Sequence, residues 1–246
     1  MKVCLTVDLE HDCPPYLSGY RGIEEGVPRL LELLRAEQIQ ATWFCTGDVA
    51  RRYPERIREL VAADHELGCH GDSHRPFDMM TSDEAEREIE QASQTLRQFH
   101  PVTSFRAPNL RFPDSYLNLL EENGYRLDSS QAIYKAAYRR PRAPCKLLRI
   151  PASVTSSVLR LPRWIRYSYF KRLKQPIVLF VHPWEFVDLR REKLRLDCRF
   201  RTGQVALTCL QENIRFFKGR SAQFVRMQDL QPADSVAKPD SPESRS

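Results

Sequence analysis

The stretch Lys2-Val3-Cys4-Leu5-Thr6-Val7-Asp8-Leu9-Glu10-His11-Asp12 decides how the rest of the chain is read. Val3, Leu5 and Val7 mark a buried strand. The run then closes on Asp8, Glu10, His11 and Asp12, four ionisable groups in five residues. Carboxylates at the carboxyl end of a parallel strand lie where the loops of an α/β protein converge on one crevice. A lone Asp would mark a turn as readily as a site, whereas a cluster this dense points to chemistry.

Outward from this stretch, strand and helix signals alternate, which predicts a parallel α/β architecture. Val27, Leu30, Leu31 and Leu34 give a helix one apolar face, with Pro28 tolerated in its first turn. A strand is expected over 41–46, a helix over 54–63 and a short strand over 66–69 ending at His70. Thr81 with Glu84 forms a capping box opening a helix whose stripe is Ala85, Ile89, Ala92, Leu96 and Phe99. A strand over 102–105 leads to Arg106, and a helix over 113–123 stops at Gly124 in a left-handed cap. The pattern weakens over 131–174, which reads as an elaboration of the fold. Ile177–Val181 is the clearest strand, five apolar residues running into His182. A helix over 204–218 and a short strand over 222–226 finish the fold. The Pro-, Ser- and Asp-rich remainder, 231–246, is expected to be a disordered tail.

The composition sets limits. With 246 residues, 41% of them hydrophobic and 28% charged, the chain can bury one large core. Its longest apolar runs are strand-sized, so no membrane-spanning helix is expected. The net charge of +6 suits nucleic acid, an anionic membrane surface or an anionic substrate without choosing among them. Seven cysteines with no CxxC pair fit reduced thiols better than a disulfide framework. A strand already under way at Lys2 leaves no room for a signal peptide, so a cytoplasmic location is expected.

Three further segments carry candidate chemistry. In His70-Gly71-Asp72-Ser73-His74 two imidazoles four apart can bind one divalent ion, or be two ordinary histidines beside a loop. The zinc-peptidase pattern needs a Glu directly after the first His, and Gly71 stands there. In Phe105-Arg106-Ala107-Pro108-Asn109-Leu110 the guanidinium either orients a carboxylate or is a surface charge. His182, in Leu179-Phe180-Val181-His182-Pro183-Trp184-Glu185, is either a satisfied core imidazole or a proton donor, with Asp128 as a candidate orienting partner.

Taken in order, these pieces and the stretch Tyr125-Arg126-Leu127-Asp128-Ser129-Ser130 resemble the polysaccharide deacetylase superfamily. This group is also called the NodB homology domain or carbohydrate esterase family four. The resemblance covers roughly 2–230 and implies one catalytic domain over 1–230, a distorted (β/α) barrel, usually seven-stranded, holding one divalent metal, zinc by preference. By carry-over Asp8 is the general base, His70 and His74 are metal ligands, Arg106 positions Asp8, and His182 is the general acid tuned by Asp128. The common family pattern Thr-Phe-Asp-Asp-Gly is replaced here by Thr6-Val7-Asp8-Leu9-Glu10. Side chains two apart on a strand point the same way, so Glu10 is the chosen third ligand, with His11 and Asp12 still open.

The implied activity is hydrolysis of an N-acetyl or N-formyl group on an amino sugar or polysaccharide; the alternative is an inactive carbohydrate-binding relative. Arg21-Gly22-Ile23-Glu24-Glu25-Gly26-Val27-Pro28-Arg29-Leu30-Leu31 resembles the subgroup that deformylates an amino-arabinose carried on undecaprenyl phosphate, which points to a lipid-linked substrate. The segment 158–174 interleaves aromatic and basic residues and suits an anionic membrane, a nucleic acid or a solvated helix. Peripheral contact with the cytoplasmic membrane face is the expectation carried forward. No nucleic-acid partner is expected, since no recognition motif is present.

Overall fold

Strand β1 (Lys2–Leu9) is buried from Val3 onward and lies between neighbours on both sides. The computed structural model describes residues 1–139 and 144–230; the tail expected over 231–246 lies outside them. Along the sheet the order is β6 (Leu148–Arg149), β5 (Leu127–Asp128), β4 (Ser104–Phe105), β3 (Glu66–Cys69), β2 (Thr42–Cys45), β1 and β7 (Ile177–Val181). All of these ladders are parallel. β8 (Gln223–Phe224) pairs with Lys2 and Val3 on the side of β1 that β2 takes further along. The expected seven-stranded distorted barrel is therefore present, with β8 as an eighth, accessory strand. No ladder joins β6 to β7 among the described residues. The gap is bridged by Ser153, whose N–H donates to the Val178 carbonyl at 2.9 Å and whose Oγ accepts from the Val178 N–H at 2.9 Å.

Alternation along the buried strands divides their side chains between two environments. Val3, Leu5, Val7 and Leu9 join the large core under the helices, whereas Cys4 packs inside the barrel with Phe44, Leu127, Ile150, Val178 and Met227. Thr6, Asp8 and Glu10 continue the inward series, so the same period that fills the barrel floor with apolar atoms delivers carboxylates to its top. Leu9 falls on the other set and is fully buried against the helices.

Eight helices surround the sheet in the described residues: α1 (Val27–Ala36), α2 (Gly47–Arg52), α3 (Pro54–Ala62), α4 (Ser82–Leu96), α5 (Leu117–Glu122), α6 (Arg163–Phe170), α7 (Leu196–Arg199) and α8 (Gln204–Lys218). Helix α4 begins with the expected capping box between Thr81 and Glu84. Helix α5 is shorter than expected, because Asp114–Tyr116 forms a separate tight turn; Gly124 does adopt the left-handed conformation, at φ +75°. Strand β6 and helix α6 lie in the segment where no periodicity was legible. A single wide turn, Gly22–Gly26, precedes α1 and presses on the segment after β7. A Cβ on Gly26 would come within 2.1 Å of the Pro183 carbonyl oxygen, and one on Gly22 within 2.6 Å of the Trp184 nitrogen, so both glycines permit this approach. No helix among the described residues is long and apolar enough to cross a membrane.

Candidate active site

At the carboxyl ends of β1, β3, β4 and β7, side chains turn into the mouth of the barrel. Asp8 and Glu10 come from β1 and the residue after it, on one face. Glu10 Oε2 lies 2.5 Å from His74 Nε2 and 3.4 Å from His70 Nε2, and all three groups are buried. One ligand atom from each lies within 4.8 Å of the others. His70 leaves β3 directly, whereas His74 is returned to the site by a loop in which Gly71 (φ +76°) and His74 itself (φ 63°) are left-handed. The structure thus places Glu10, and neither His11 nor Asp12, in one possible ligand cluster with the two histidines. The Asp12 carboxylate instead accepts from the N–H groups of Arg21 and Gly22 at 2.9 and 2.8 Å, anchoring the turn before α1. His11 packs its ring edge-on to His74, 5.7 Å between centroids.

The donor set fits a divalent metal. His70 Nδ1 is 2.7 Å from the Arg106 carbonyl oxygen, to which it can only donate, so its Nε2 is left as a lone-pair donor facing a carboxylate oxygen. Two acceptors in a buried site face each other comfortably only across a cation or a proton. One carboxylate oxygen and two imidazole nitrogens, one of them oriented by a backbone carbonyl, are what a catalytic zinc site uses. Burial pulls His74 down, but the Glu10 carboxylate outweighs it and leaves His74 above its ordinary value. Glu10 itself is held well below the usual carboxylate range: burial would raise it, and His74, His182 and His70 overcome that.

Beside this trio sits a fixed carboxylate. Arg106, wholly buried at the end of β4, donates from Nη1 to Asp8 Oδ1 at 2.7 Å and to Thr6 Oγ1 at 2.7 Å, and from Nη2 to Ser129 Oγ at 2.9 Å. Its guanidinium lies over the Phe44 ring, 4.3 Å from the centroid. The remaining Asp8 oxygen, Oδ2, is 4.0 Å from His182 Nε2.

His182 follows β7 and is gripped from its other side. Nδ1 is 2.8 Å from Glu185 Oε1, which also accepts from the His182 N–H at 3.2 Å; Glu185 Oε2 is 3.2 Å from buried Arg160 Nε. The imidazole stacks on Trp184, centroids 4.8 Å apart, and the Trp184 indole N–H donates to Glu10 Oε1 at 3.3 Å. Burial lowers the pKa of His182, and the carboxylates of Glu10, Glu185 and Asp8 more than reverse this, bringing it to about 9.

One expected partner is displaced. Asp128 does not reach His182: Oδ2 accepts from Arg149 Nε on β6 at 3.0 Å and Oδ1 from the Ser130 N–H in the turn after β5 at 2.8 Å, so both oxygens are committed elsewhere. Glu185 occupies the orienting position instead. The signal for it was local, since His182 and Glu185 stand at the three-residue spacing of a capping box, which the structure forms with Pro183 in the first turn. Thr6 and Ser129, which stand in the motifs of the resemblance with no role assigned to them there, and Arg160 also belong to the site.

A family model described as polysaccharide deacetylase matches residues 2–127, the half of the chain that supplies Asp8, Glu10, His70, His74 and Arg106. The chain belongs to the polysaccharide deacetylase family. A peptidoglycan deacetylase of Helicobacter pylori is 31% identical over 122 residues, 48% of this chain and 42% of that protein. A chitooligosaccharide deacetylase of Sinorhizobium fredii is 30% identical over 79 residues, 32% and 37% of the two. The chain thus spans less than half the length of these curated relatives. Among solved structures, a family 4 carbohydrate esterase from Streptomyces lividans in complex with acetate superposes with a TM-score of 0.62 at 15% identity, over 91% of each chain. A family 4 pseudoenzyme from Bacillus anthracis gives 0.63 at 16% identity, over 93% of this chain and 64% of that one. At these identities the two structures speak for the fold, and they cover more of the chain than the family match does.

Proposed function

We propose that this polysaccharide deacetylase family member hydrolyses the N-acyl group, acetyl or formyl, of an amino sugar, with Glu10, His70 and His74 holding one divalent metal, zinc by the chemistry of its donors. A bound ion of this kind polarises an acyl carbonyl and brings the pKa of water towards about 7. The chain's own groups supply the proton traffic. Asp8 accepts the proton of the attacking water at Oδ2, because Arg106 occupies Oδ1 and holds the carboxylate in place. His182, cationic at neutral pH, donates from Nε2 to the departing amine. Glu185 at Nδ1 fixes the ring so that Nε2 faces the site, and its charge supports the imidazolium. Trp184 covers one face of the ring and limits water there.

The observation that carries this reading is the facing pair: a carboxylate fixed by an arginine and an imidazole fixed by a glutamate, 4.0 Å apart and bordering the Glu10-His70-His74 trio. The names of the relatives put peptidoglycan fragments and chitooligosaccharides first among substrates to try. The test is metal content together with acetate or formate release from those oligosaccharides and from lipid-linked amino sugars, beside Asp8→Asn and His70→Ala. Stoichiometric metal, and activity lost in both variants, is the expected result. Metal and oligosaccharide binding without turnover on any of them would favour the non-catalytic carbohydrate-binding alternative.

A lipid-linked form of the substrate is the finer proposal. Part of 158–174 is built inward: Leu159 and Phe170 are core, Arg160 serves Glu185, and Arg166 pairs with Glu212. The outer face of α6 and the turn after it nevertheless present Arg163, Trp164, Tyr169, Lys171, Arg172 and Lys174, with Trp164 77% exposed. That mixture of exposed indole and cations suits an anionic headgroup layer, which we assign to the cytoplasmic membrane face.

A further inference from the structure

We propose that Cys13 and Cys198 form an oxidisable thiol pair at the mouth of the active-site pocket, a modification site that closes to a disulfide when the protein meets a peroxide. Cys13 lies in the loop that follows Glu10, and Cys198 lies on α7. Both line the cavity that contains Asp8, Glu10 and His182. Cys13 belongs to a small apolar cluster with Trp184, Val187, Leu189 and Leu194, and Cys198 packs against that same cluster. Cysteines so placed across a cavity wall, from segments far apart in sequence, meet only because the fold brings them together.

Accessibility and reactivity both favour this pair. Cys198 is half-buried and opens on the pocket, so a small oxidant reaches it; beside Cys13 its thiol lies below the ordinary value while that of Cys13 is raised, so Cys198 is the member of the pair that attacks. Cys45 and Cys69 are also neighbours, in register across β2 and β3, yet both are fully buried and burial raises both thiols. The chemistry balances in two steps. Cys198 thiolate attacks one oxygen of hydrogen peroxide, giving the sulfenic acid and, with its proton, one water. Cys13 then attacks that sulfur, the S–O bond breaks, and a second water leaves as the disulfide forms.

The bond would tie two parts of the site together. Cys13 is three residues from Glu10. On the other side, the carbonyls of Asp197, Cys198 and Phe200 hold the Arg160 guanidinium at 2.9, 3.2 and 2.6 Å, and Arg160 in turn pairs with the glutamate that grips His182. The inference rests on the cysteine geometry and not on the deacylation reading.

The test uses the full chain, reduced, freed of reductant and treated with stoichiometric hydrogen peroxide, with thiols then counted by a chromogenic disulfide reagent under denaturing conditions. The count should fall from seven to five, a non-reducing peptide map should show the Cys13–Cys198 cross-link, and dithiothreitol should restore all seven. Cys198→Ser, at a half-exposed position that tolerates the change, should keep its remaining six thiols under the same treatment. An unchanged count of seven in the wild type, a cross-link between any other two cysteines, or loss of two thiols in Cys198→Ser would each overturn the proposal.

Discussion

Replacing Glu185 by Gln preserves shape and removes the charge that holds His182. The carboxylate makes a 2.8 Å contact to the imidazole Nδ1 and a 3.2 Å ion pair with Arg160. A hydrogen bond to a charged group contributes roughly 1.5–3 kcal/mol. At about 1.4 kcal/mol per pKa unit, its loss should bring His182 down by about 1–2 units. A general acid must carry its proton, so activity falls as pH rises through its pKa. The alkaline limb of the kcat/KM profile should therefore move about 1–2 units to lower pH in the variant. Arg160 is left buried without its anion, which costs about 3–5 kcal/mol of stability and a lower Tm. Pairing the change with Arg160→Met removes both buried charges; it should recover much of the stability and keep the displaced limb. The assay is kcat/KM from pH 6 to 10 on metal-saturated protein. An alkaline limb that stays in place while activity drops equally at every pH would refute the tuning role.

Arg106→Lys keeps the charge but reaches only one of Asp8, Thr6 and Ser129; with a buried partner unsatisfied at about 2–3 kcal/mol, kcat/KM should fall about 100-fold while metal content holds. A chelator should abolish activity and lower Tm, and restored zinc should raise stability by about 2.7 kcal/mol at a hundredfold excess over Kd. His65 gives a stability signature independent of the site: burial lowers it to about 4, and its Nδ1 accepts from the Ala41 N–H at 3.1 Å. The unfolded state then takes up a proton that the folded state refuses, so stability is complete above about pH 6.5 and falls as pH drops towards 4, by about 2–3 kcal/mol at pH 4.5. Denaturant titrations at both pH values should show this, and His65→Asn, which retains an acceptor, should flatten the dependence. Trp164→Ala should weaken sedimentation with anionic liposomes at low salt, and a wild type that stays in the supernatant would remove the membrane proposal.

The residues legible in the sequence were those whose chemistry and spacing are local. Asp8 and Glu10 stand two apart on a strand, His70 and His74 share one loop, and a run of five apolar residues announces His182. What escaped was set by register between distant segments. Nothing near Asp128 reveals that Arg149, from a two-residue strand in a segment without periodicity, will take its carboxylate. Nothing near Arg160 shows that the carbonyls around α7 will turn it towards Glu185. Glu185 could have been preferred from its three-residue spacing to His182, since that spacing closes within one turn and asks nothing of the tertiary fold.

The contact between Arg106 and Asp8 shows why a curled sheet is required for this site. Their strands, β4 and β1, are separated by β3 and β2, so three spacings of about 4.8 Å would put them about 14 Å apart in a flat sheet. The guanidinium nevertheless reaches the carboxylate at 2.7 Å, across the barrel interior. It does so over the Phe44 ring of an intervening strand, while Gly68 on β3 leaves room for that ring: a Cβ there would come within 2.7 Å of it. A larger residue at 68 would push Phe44 upward into the guanidinium. The barrel's curvature, a glycine on one strand and a phenylalanine on the next therefore act together to place one arginine. Gly68→Ala should accordingly disturb the Asp8 environment and lower activity while leaving any metal bound at the proposed Glu10-His70-His74 site in place. Full activity in that variant would show that Phe44 can yield without moving Arg106, and that the curvature alone sets the contact.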